Sequence, residues 1–295
     1  MDHTKQSYIF AGLAVFFWST IPTAFKIGLG ELDVLPMLTI ATLTSTLVLF
    51  GIMAGSGKLS LLLKNTKKDL ASSMILGLIN PTIYYLILLK AYKILPAQVA
   101  QPLNMIWPII LVFLSVPVLK QKIPGKSFIA LFISFIGVFI ISSQGNIFHP
   151  GKSDPVGVML ATGSSIFWAL YFILNMRDKR DESVKLFTSF AFATVFLLVL
   201  LLLSGKPAVP DVKGIFASVY IGIFEMGITF YFWLRALQLA PTSDKVSNLV
   251  YLAPFISLIF IHFIINEPVY YTTPAGLLLI IAGIFFQNRR SKEAI

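Results

Sequence analysis

The sequence predicts an all-α integral membrane protein of about ten transmembrane helices, arranged as two inverted five-helix repeats. Three observations predict this class: the composition, the length of the apolar runs and an internal repeat. Of the 295 residues, 57% are hydrophobic and 12% are charged, whereas a soluble domain carries about 25% charged residues. The apolar runs are continuous over about twenty residues, the length of one bilayer crossing. A transmembrane β-barrel would instead show alternation in segments of about ten residues.

Ten apolar runs supply the elements in chain order. Each holds about 20 residues, enough at a rise of about 1.5 Å per residue to cross a hydrocarbon core of roughly 30 Å. We interpret the first run as a span and not as a cleaved signal peptide, because it is longer than a usual signal core. The predicted spans are 8–27, 35–54, 71–92, 97–118, 127–144, 156–175, 186–204, 214–236, 245–265 and 274–288.

The charges between the runs predict the orientation. The net charge of +10 does not indicate nucleic acid, because Lys and Arg stand at the ends of apolar runs. If the N-terminus is cytoplasmic, 17 of the 23 Lys and Arg residues fall on the cytoplasmic side, where loops carry the excess. We therefore expect a multi-pass protein of the cytoplasmic membrane with both termini in the cytoplasm. The longest connections, 55–70 and 177–185, are rich in charge.

The chain repeats itself at a nearly constant offset. The segment K-A-Y-K-I-L-P-A from Lys90 matches R-A-L-Q-L-A-P-T from Arg235, 145 residues later. Each half holds about five spans, an odd number, so the second half must enter the membrane from the opposite side. This predicts repeats at 1–147 and 148–295 in the inverted design of many secondary transporters. Further pairs are Gly77 with Gly222, Pro108 with Pro254, Gly137 with Gly283 and Trp18 with Trp168.

With these features the chain resembles the EamA-type branch of the drug/metabolite transporter superfamily over nearly its whole length. The likeness rests on F-F-W-S at 16–19, I-F-W-A at 166–169, the turns K-I-L-P-A and Q-L-A-P-T, and N-E-P at 266–268. The family usually places a glutamate at the end of the fourth helix of each half. Glu267 fits this pattern, and the first half has Gln121 instead. The resemblance implies a transporter whose third helices border a central cavity, with efflux favoured over uptake, and it implies no particular substrate.

Glu225 lies near the middle of the eighth predicted span and is the main candidate for a substrate contact. A carboxylate at this depth costs roughly 2.5–3.5 kcal/mol on insertion scales, so it should face protein or a water-filled cavity. Its equivalent in the first half is Asn80. Tyr84 stands at i+4 from Asn80, and Thr229 at i+4 from Glu225, so we expect each pair to lie on one helix face. Glu225 either binds a cationic group or a coupling proton, or pairs with a Lys or Tyr to fix helix packing. Asn80 is either a ligand or an interhelical hydrogen-bond partner.

Prolines inside the spans mark candidate breaks. Each removes a backbone donor and favours a kink, and in lipid the freed carbonyl groups must find partners or line a cavity. The pairs Asn80-Pro81 and Trp107-Pro108 are therefore candidate broken or bent segments near the site. A packing kink is the simpler account of any single proline.

Aromatic side chains deep inside the spans are candidate walls of a binding site, because Trp and Tyr otherwise collect at membrane interfaces. Such walls suit apolar or cationic organic substrates, and ordinary packing is the alternative for each ring. Asn104 and Asn248 add near-equivalent polar groups in the two fourth helices. The candidate rings are those of Trp18, Trp107, Trp168 and Tyr251, with Tyr85 as a further aromatic.

Lys90 and Arg235 correspond across the repeat and would lie near opposite faces of the membrane. They are candidate gate or anion-binding residues. The plainer interpretation is that both side chains snorkel to the interface with their stems along lipid.

The sequence lacks the motifs of several other classes. It has no P-loop, G-x-S-x-G or H-E-x-x-H motif, and without cysteine it has no Cys-based metal site. We therefore predict no enzyme, no cofactor and no metal. The expected partners are a small-molecule substrate, the lipid bilayer and protons as a candidate coupling ion, without nucleic acid; the oligomeric state stays open. The expected function is secondary transport of a small organic metabolite, such as an amino acid or a related amphipathic compound. Two alternatives stay open: a lipid or lipid-linked sugar flippase, and a non-transporting membrane sensor or scaffold.

Overall fold

The computed structural model describes residues 3–120, 125–146, 152–205, 211–240 and 248–288, and within these ranges every regular element is helical. Seven helical stretches are long and apolar enough to cross a membrane, and three further apolar helices are shorter. Together they coincide with the ten predicted spans, so the chain is a multi-pass α-helical membrane protein. In chain order they are α1 (His3–Glu31), α2 (Val34–Gly55), α3 (Lys67–Ile94), α4 (Ala97–Val118), α5 (Lys126–Ser142), α6 (Pro155–Arg177), α7 (Glu182–Leu203), α8 (Val212–Leu237), α9 (Leu249–Ile265) and α10 (Thr272–Gln287).

Several spans are interrupted near their middle. The third consists of α3a (Lys67–Gly77) and α3b (Tyr84–Ile94), joined by a wide turn. The fourth consists of α4a (Ala97–Asn104) and α4b (Trp107–Leu119), and the eighth of α8a (Val212–Phe224) and α8b (Ile228–Leu239). The ninth opens with a 3-10 turn, Asn248–Leu252, before its α-helical part, Ala253–Ile265.

Carboxylates define where several helices begin. Asp154 accepts hydrogen bonds from the N–H groups of the first turn of α6, and Asp181 and Asp211 do the same for α7 and α8. These side chains satisfy backbone donors that have no partner within the helix. Asp154, Asp181 and Asp211 therefore each stand at the start of a helix.

The packing of the spans follows the internal repeat. Helix α2 packs on α7, and α5 packs on α10, so the second and fifth spans of each half pair with their own equivalents. Helix α1 packs on α8 and α9, while α6 packs on α3 and α4, which are the equivalent contacts with the halves exchanged. Such reciprocal pairing is what a two-fold pseudo-symmetric arrangement of the halves requires.

Glycines let α5 and α10 approach closely. A Cβ atom added to Gly137 would lie 2.6 Å from the carbonyl oxygen of Gly276, closer than real Cβ atoms come. One added to Gly283 would lie 2.9 Å from the carbonyl oxygen of Ala130. Gly283 stands 146 positions after Gly137, and Gly276 stands 146 positions after Ala130. The two close contacts are therefore equivalent across the repeat. Small residues at the crossing let helices pack by dispersion contacts in lipid.

Replacing Gly137 with leucine is expected to lower the unfolding free energy by at least about 2 kcal/mol, because the new side chain overpacks the α5–α10 crossing. The matched control is Gly163→Leu, since a Cβ there meets no atom within 4 Å. Both changes add the same helix-forming side chain, so their difference measures packing alone. Thermal unfolding in detergent checks the prediction, and equal melting temperatures for the two variants would contradict it.

The two charge-rich connections predicted from the sequence pack against each other. Lys58 Nζ lies 2.8 Å from Asp181 Oδ2, and Arg180 Nη2 lies 2.5 Å from Asp178 Oδ2 and 2.7 Å from Ser73 Oγ. Burial alone would raise the pKa of Asp181, but hydrogen bonds from Lys58 and the Ser183 N–H lower it. A lowered carboxyl pKa means that this contact contributes fully at neutral pH and is lost as the pH falls through that value.

Candidate functional site

The third and eighth spans are broken at equivalent residues. In the third, Asn80 has non-helical backbone angles (φ −144°, ψ 123°), and the Asn80–Pro81 peptide bond is cis. In the eighth, Glu225 ends α8a, and Gly227 (φ −111°, ψ −101°) precedes α8b. Asn80 and Glu225 are 145 residues apart, the offset of the repeat. The predicted break at Asn80-Pro81 is confirmed, as is the one beside Trp107, where α4a and α4b meet.

A threonine supports each break. Thr82 Oγ1 donates a hydrogen bond to the carbonyl oxygen of Gly77 at 2.9 Å, and Thr229 Oγ1 donates to that of Phe224. Both bonds reach five residues back to a carbonyl group at the end of the first half-helix. Lipid offers no donor to such a group, so a side chain must supply one.

Two expectations about helix faces are wrong for the same reason. Asn80 and Tyr84 do not share a continuous α-helical face, and neither do Glu225 and Thr229, because a break lies between the members of each pair. Thr229 is fully buried and its hydroxyl is bonded to backbone. In this structure the Thr229 hydroxyl supports the break.

The Glu225 carboxylate points into the protein. Its Oε1 accepts a hydrogen bond of 2.8 Å from the hydroxyl group of Tyr85, which is 1% exposed and packs edge-on against Phe25 of α1. Among the described residues, the other carboxylate oxygen, Oε2, makes no hydrogen bond, and it is not fully buried. One oxygen is thus held by the opposite half of the chain, and the other stays accessible to a water-sized group.

A chain of hydrogen bonds continues from the neighbouring tyrosine. The Tyr84 hydroxyl donates to Asn104 Oδ1 at 3.1 Å, and Asn104 Nδ2 donates to Ser164 Oγ at 2.8 Å. These bonds join α3b, α4a and α6, and they bring Tyr84 and Asn104 together. Asn80 is 1% exposed, and its Oδ1 has no hydrogen-bond partner among the described residues.

Aromatic rings extend the site from Tyr84 across the interface between the halves. The ring of Tyr84 lies 5.0 Å from that of Trp168, and Trp168 lies 6.4 Å from Phe230 of α8b. Phe230 lies 5.9 Å from Trp18 of α1. Trp107 joins the same cluster at 6.4 Å from Trp168. The structure therefore gathers the three predicted tryptophans around one patch that Glu225 and Tyr85 adjoin.

Sequence reasoning missed the two contacts that complete this patch. Tyr85 was only one aromatic among several, because its pairing with Glu225 joins residues 140 positions apart. Phe230 carries no distinguishing signal, since it stands in a run of aromatic residues on α8b.

Other candidates lie elsewhere. The Tyr251 ring packs at 5.5 Å against Phe285 of α10, and within the described ranges no ring contact joins it to the Trp168 cluster. Lys90 and Arg235 are exposed at the surface of the bundle, as the snorkelling interpretation expects. The Asn248 side chain and Gln121 fall outside the described part of the structure. Within that part, no group of three or more His, Cys, Asp or Glu side chains could hold a metal ion.

A second polar cluster clamps one end of the bundle. Glu267, which follows α9, accepts hydrogen bonds of 3.0 Å from the N–H groups of both Ala97 and Gln98 at the start of α4a. Lys26 of α1 donates to the carbonyl groups of Tyr92 and Leu95 at the end of α3b, at 2.9 and 3.1 Å. This Glu267 clamp holds the turn between the third and fourth spans to the second half of the chain.

Known proteins resemble this chain along nearly its whole length. The sequence profile of the EamA-like transporter family matches residues 5–143 and again residues 155–289. An uncharacterized transporter of Clostridium kluyveri is 25% identical, over 98% of this chain and 95% of the relative. An uncharacterized transporter of Archaeoglobus fulgidus is 25% identical, over 98% and 99%. One crystal structure superposes with a TM-score of 0.67 at 17% identity over 97% of both chains, which shows likeness of fold alone.

Proposed function

The chain belongs to the EamA-like transporter family, and from this premise we propose that it is a secondary transporter of a small organic metabolite. The cargo would be an amino acid or a related amphipathic compound, and efflux through the cytoplasmic membrane is the favoured direction. The proposal includes cytoplasmic termini, inverted repeats at 1–147 and 148–295, and alternating access around a fixed site between them.

The observation that carries the proposal is the pair of broken spans. Secondary transporters place substrate and ion sites near the bilayer midplane, where discontinuous helices of the two repeats meet. Here the breaks at Asn80 and Glu225 are equivalent, and the contact between Tyr85 and Glu225 brings them together. A purely structural acid in lipid would be costly to keep.

The residues of the site have distinct roles in this proposal. Glu225 would bind a positive group of the cargo or the coupling proton, and Tyr85 holds one of its oxygens in place. Trp18 and Trp168 would form walls contributed by the first helix of each half. Asn104 and Tyr84 would present polar groups where α4 is interrupted.

Flux in proteoliposomes tests this function. We expect the purified protein to move members of a panel of amino acids and amphipathic amines, with a rate that depends on a pH gradient. Glu225→Gln should abolish that dependence and slow flux about 100-fold, because a neutral amide neither takes up a proton nor balances a cation. Unchanged rate and pH dependence in the variant would remove the coupling role.

Glu31→Gln is the matched control, because Glu31 pairs with the largely exposed Lys213 at 2.8 Å and lies far along α1 from the rings of the site. It should transport as the parent does. No flux of any compound by folded protein in the liposomes would contradict secondary transport itself.

A further inference from the structure

The Glu225 carboxylate has no basic partner among the described residues. Among the described residues no ion pair includes Glu225, and its one hydrogen-bond partner is the neutral hydroxyl of Tyr85. Two basic side chains of other spans are engaged elsewhere: Lys26 with backbone carbonyl groups, and Lys185 with Glu182 and two carbonyl groups. An acid at membrane depth normally pairs with a base or marks a binding site.

The Tyr85 ring that bonds this acid belongs to an aromatic cluster. The ring of Tyr85 lies 4.6 Å from Tyr84, and the cluster continues from Tyr84 through Trp168 and Phe230 to Trp18. Trp168, Phe230 and Trp18 are only partly buried. Ring faces attract ammonium groups through the ring quadrupole, with Trp the strongest, and the attraction grows in a desolvated site.

The same surroundings suit a carboxylate poorly. A zwitterionic amino acid brings one positive and one negative group, and the negative one needs a cationic side chain or free N–H donors. The polar groups next to the rings, Asn104 and Ser164, are already bonded to Tyr84, to each other and to the Ala161 carbonyl. An added carboxylate would also lie near that of Glu225 and be repelled by it.

From this balance we propose that the cargo is an organic monocation: a primary or quaternary ammonium on an aromatic or apolar body, without a carboxylate. The ammonium lies between the free oxygen of Glu225 and the faces of Tyr84 and Trp168, and the apolar body lies along Phe230 and Trp18. This inference rests on the proposed function and narrows its cargo class from amino acids and their relatives to amines that lack the acid group.

Tryptamine and tryptophan provide a matched test, because they differ only by the carboxylate. Isothermal titration with the full-length protein in detergent should give tryptamine a dissociation constant at least about tenfold below that of tryptophan. Phenyltrimethylammonium, a permanent cation, should bind as well. Glu225→Gln and Trp168→Leu should each raise the dissociation constants of both cations about tenfold or more. Glu31→Gln should leave both dissociation constants unchanged.

Several outcomes overturn the inference. These are equal or tighter binding of tryptophan, undiminished binding of phenyltrimethylammonium by Glu225→Gln, and no binding of either cation at millimolar concentration. If the protein moves tryptophan in proteoliposomes but neither cation, the cargo class is wrong and secondary transport stands. If it binds both cations as expected but moves no compound, transport is wrong and the cation site stands.

Discussion

Replacing Gln98 with leucine is expected to lower the free energy of unfolding by about 2–5 kcal/mol, because one buried side chain serves three polar groups. Gln98 is fully buried at the start of α4a. Its Nε2 donates to the Pro268 carbonyl group, and its Oε1 accepts from the N–H of Tyr270 and the hydroxyl of Thr273, both at 2.9 Å. Leucine fills a similar volume but leaves all three groups without partners. Equilibrium unfolding in mixed detergent micelles measures the loss.

The chain offers a control on the next turn of the same helix. Gln101 accepts a hydrogen bond from the hydroxyl of Ser257, whose oxygen also lies 2.7 Å from the Pro254 carbonyl oxygen, an alternative acceptor for the same proton. Gln101→Leu therefore removes a bond without leaving a buried group unpaired, and we expect a loss within about 1 kcal/mol. Similar losses for the two variants would show that Gln98 stabilises the fold no more than an ordinary interhelical bond does.

The spans themselves could be predicted from hydropathy, because lipid forces every apolar run to satisfy its backbone internally as a helix. The repeat offset carried further information. It paired Gly137 with Gly283, which occupy equivalent places at the α5–α10 crossing, and it paired Asn80 with Glu225, where both breaks occur. Proline identified the break at Asn80 because it removes a backbone donor.

Neither hydropathy nor the repeat offset predicts the break at Glu225 or the hydrogen bond between Glu225 and Tyr85. No proline stands in 225–227, and the backbone angles there depend on Gly227, which could equally have continued the helix. Spacing of i and i+4 places Thr229 on the face of Glu225 only in an unbroken helix, and the break before Ile228 removes that relation. The Tyr85 contact is set by tertiary packing across the halves, which no local spacing encodes. The Glu267 clamp was missed for the same reason, since it joins residues about 170 positions apart.

Removing the Glu267 carboxylate is expected to open the end of the bundle that it clamps. The two N–H groups at the start of α4a would lose charge-assisted partners, at a cost of about 2 kcal/mol or more. Because these hydrogen bonds join the second half of the chain to the first, their loss destabilises the arrangement in which this end is closed. If the halves alternate as proposed, a shift of that size changes the population of the open state roughly 30-fold.

The absence of cysteine from the sequence makes this opening measurable with single introduced thiols. Ala100 is fully buried in α4a behind the clamp, and in Ala100→Cys a membrane-impermeant thiol reagent should react roughly 30-fold faster once Glu267→Ala is added. Glu267→Gln should give a smaller increase, because its amide oxygen still accepts one bond without charge. An exposed thiol in Lys152→Cys should react equally fast in both backgrounds.

A thiol at Ala169, fully buried in α6, separates opening of the clamp from loss of the fold. If Glu267→Ala accelerates labelling in Ala100→Cys and leaves it slow in Ala169→Cys, the change is confined to the clamped end. Equal acceleration at both positions would mean general unfolding, and no acceleration at Ala100 would mean that Glu267 does not hold this end closed.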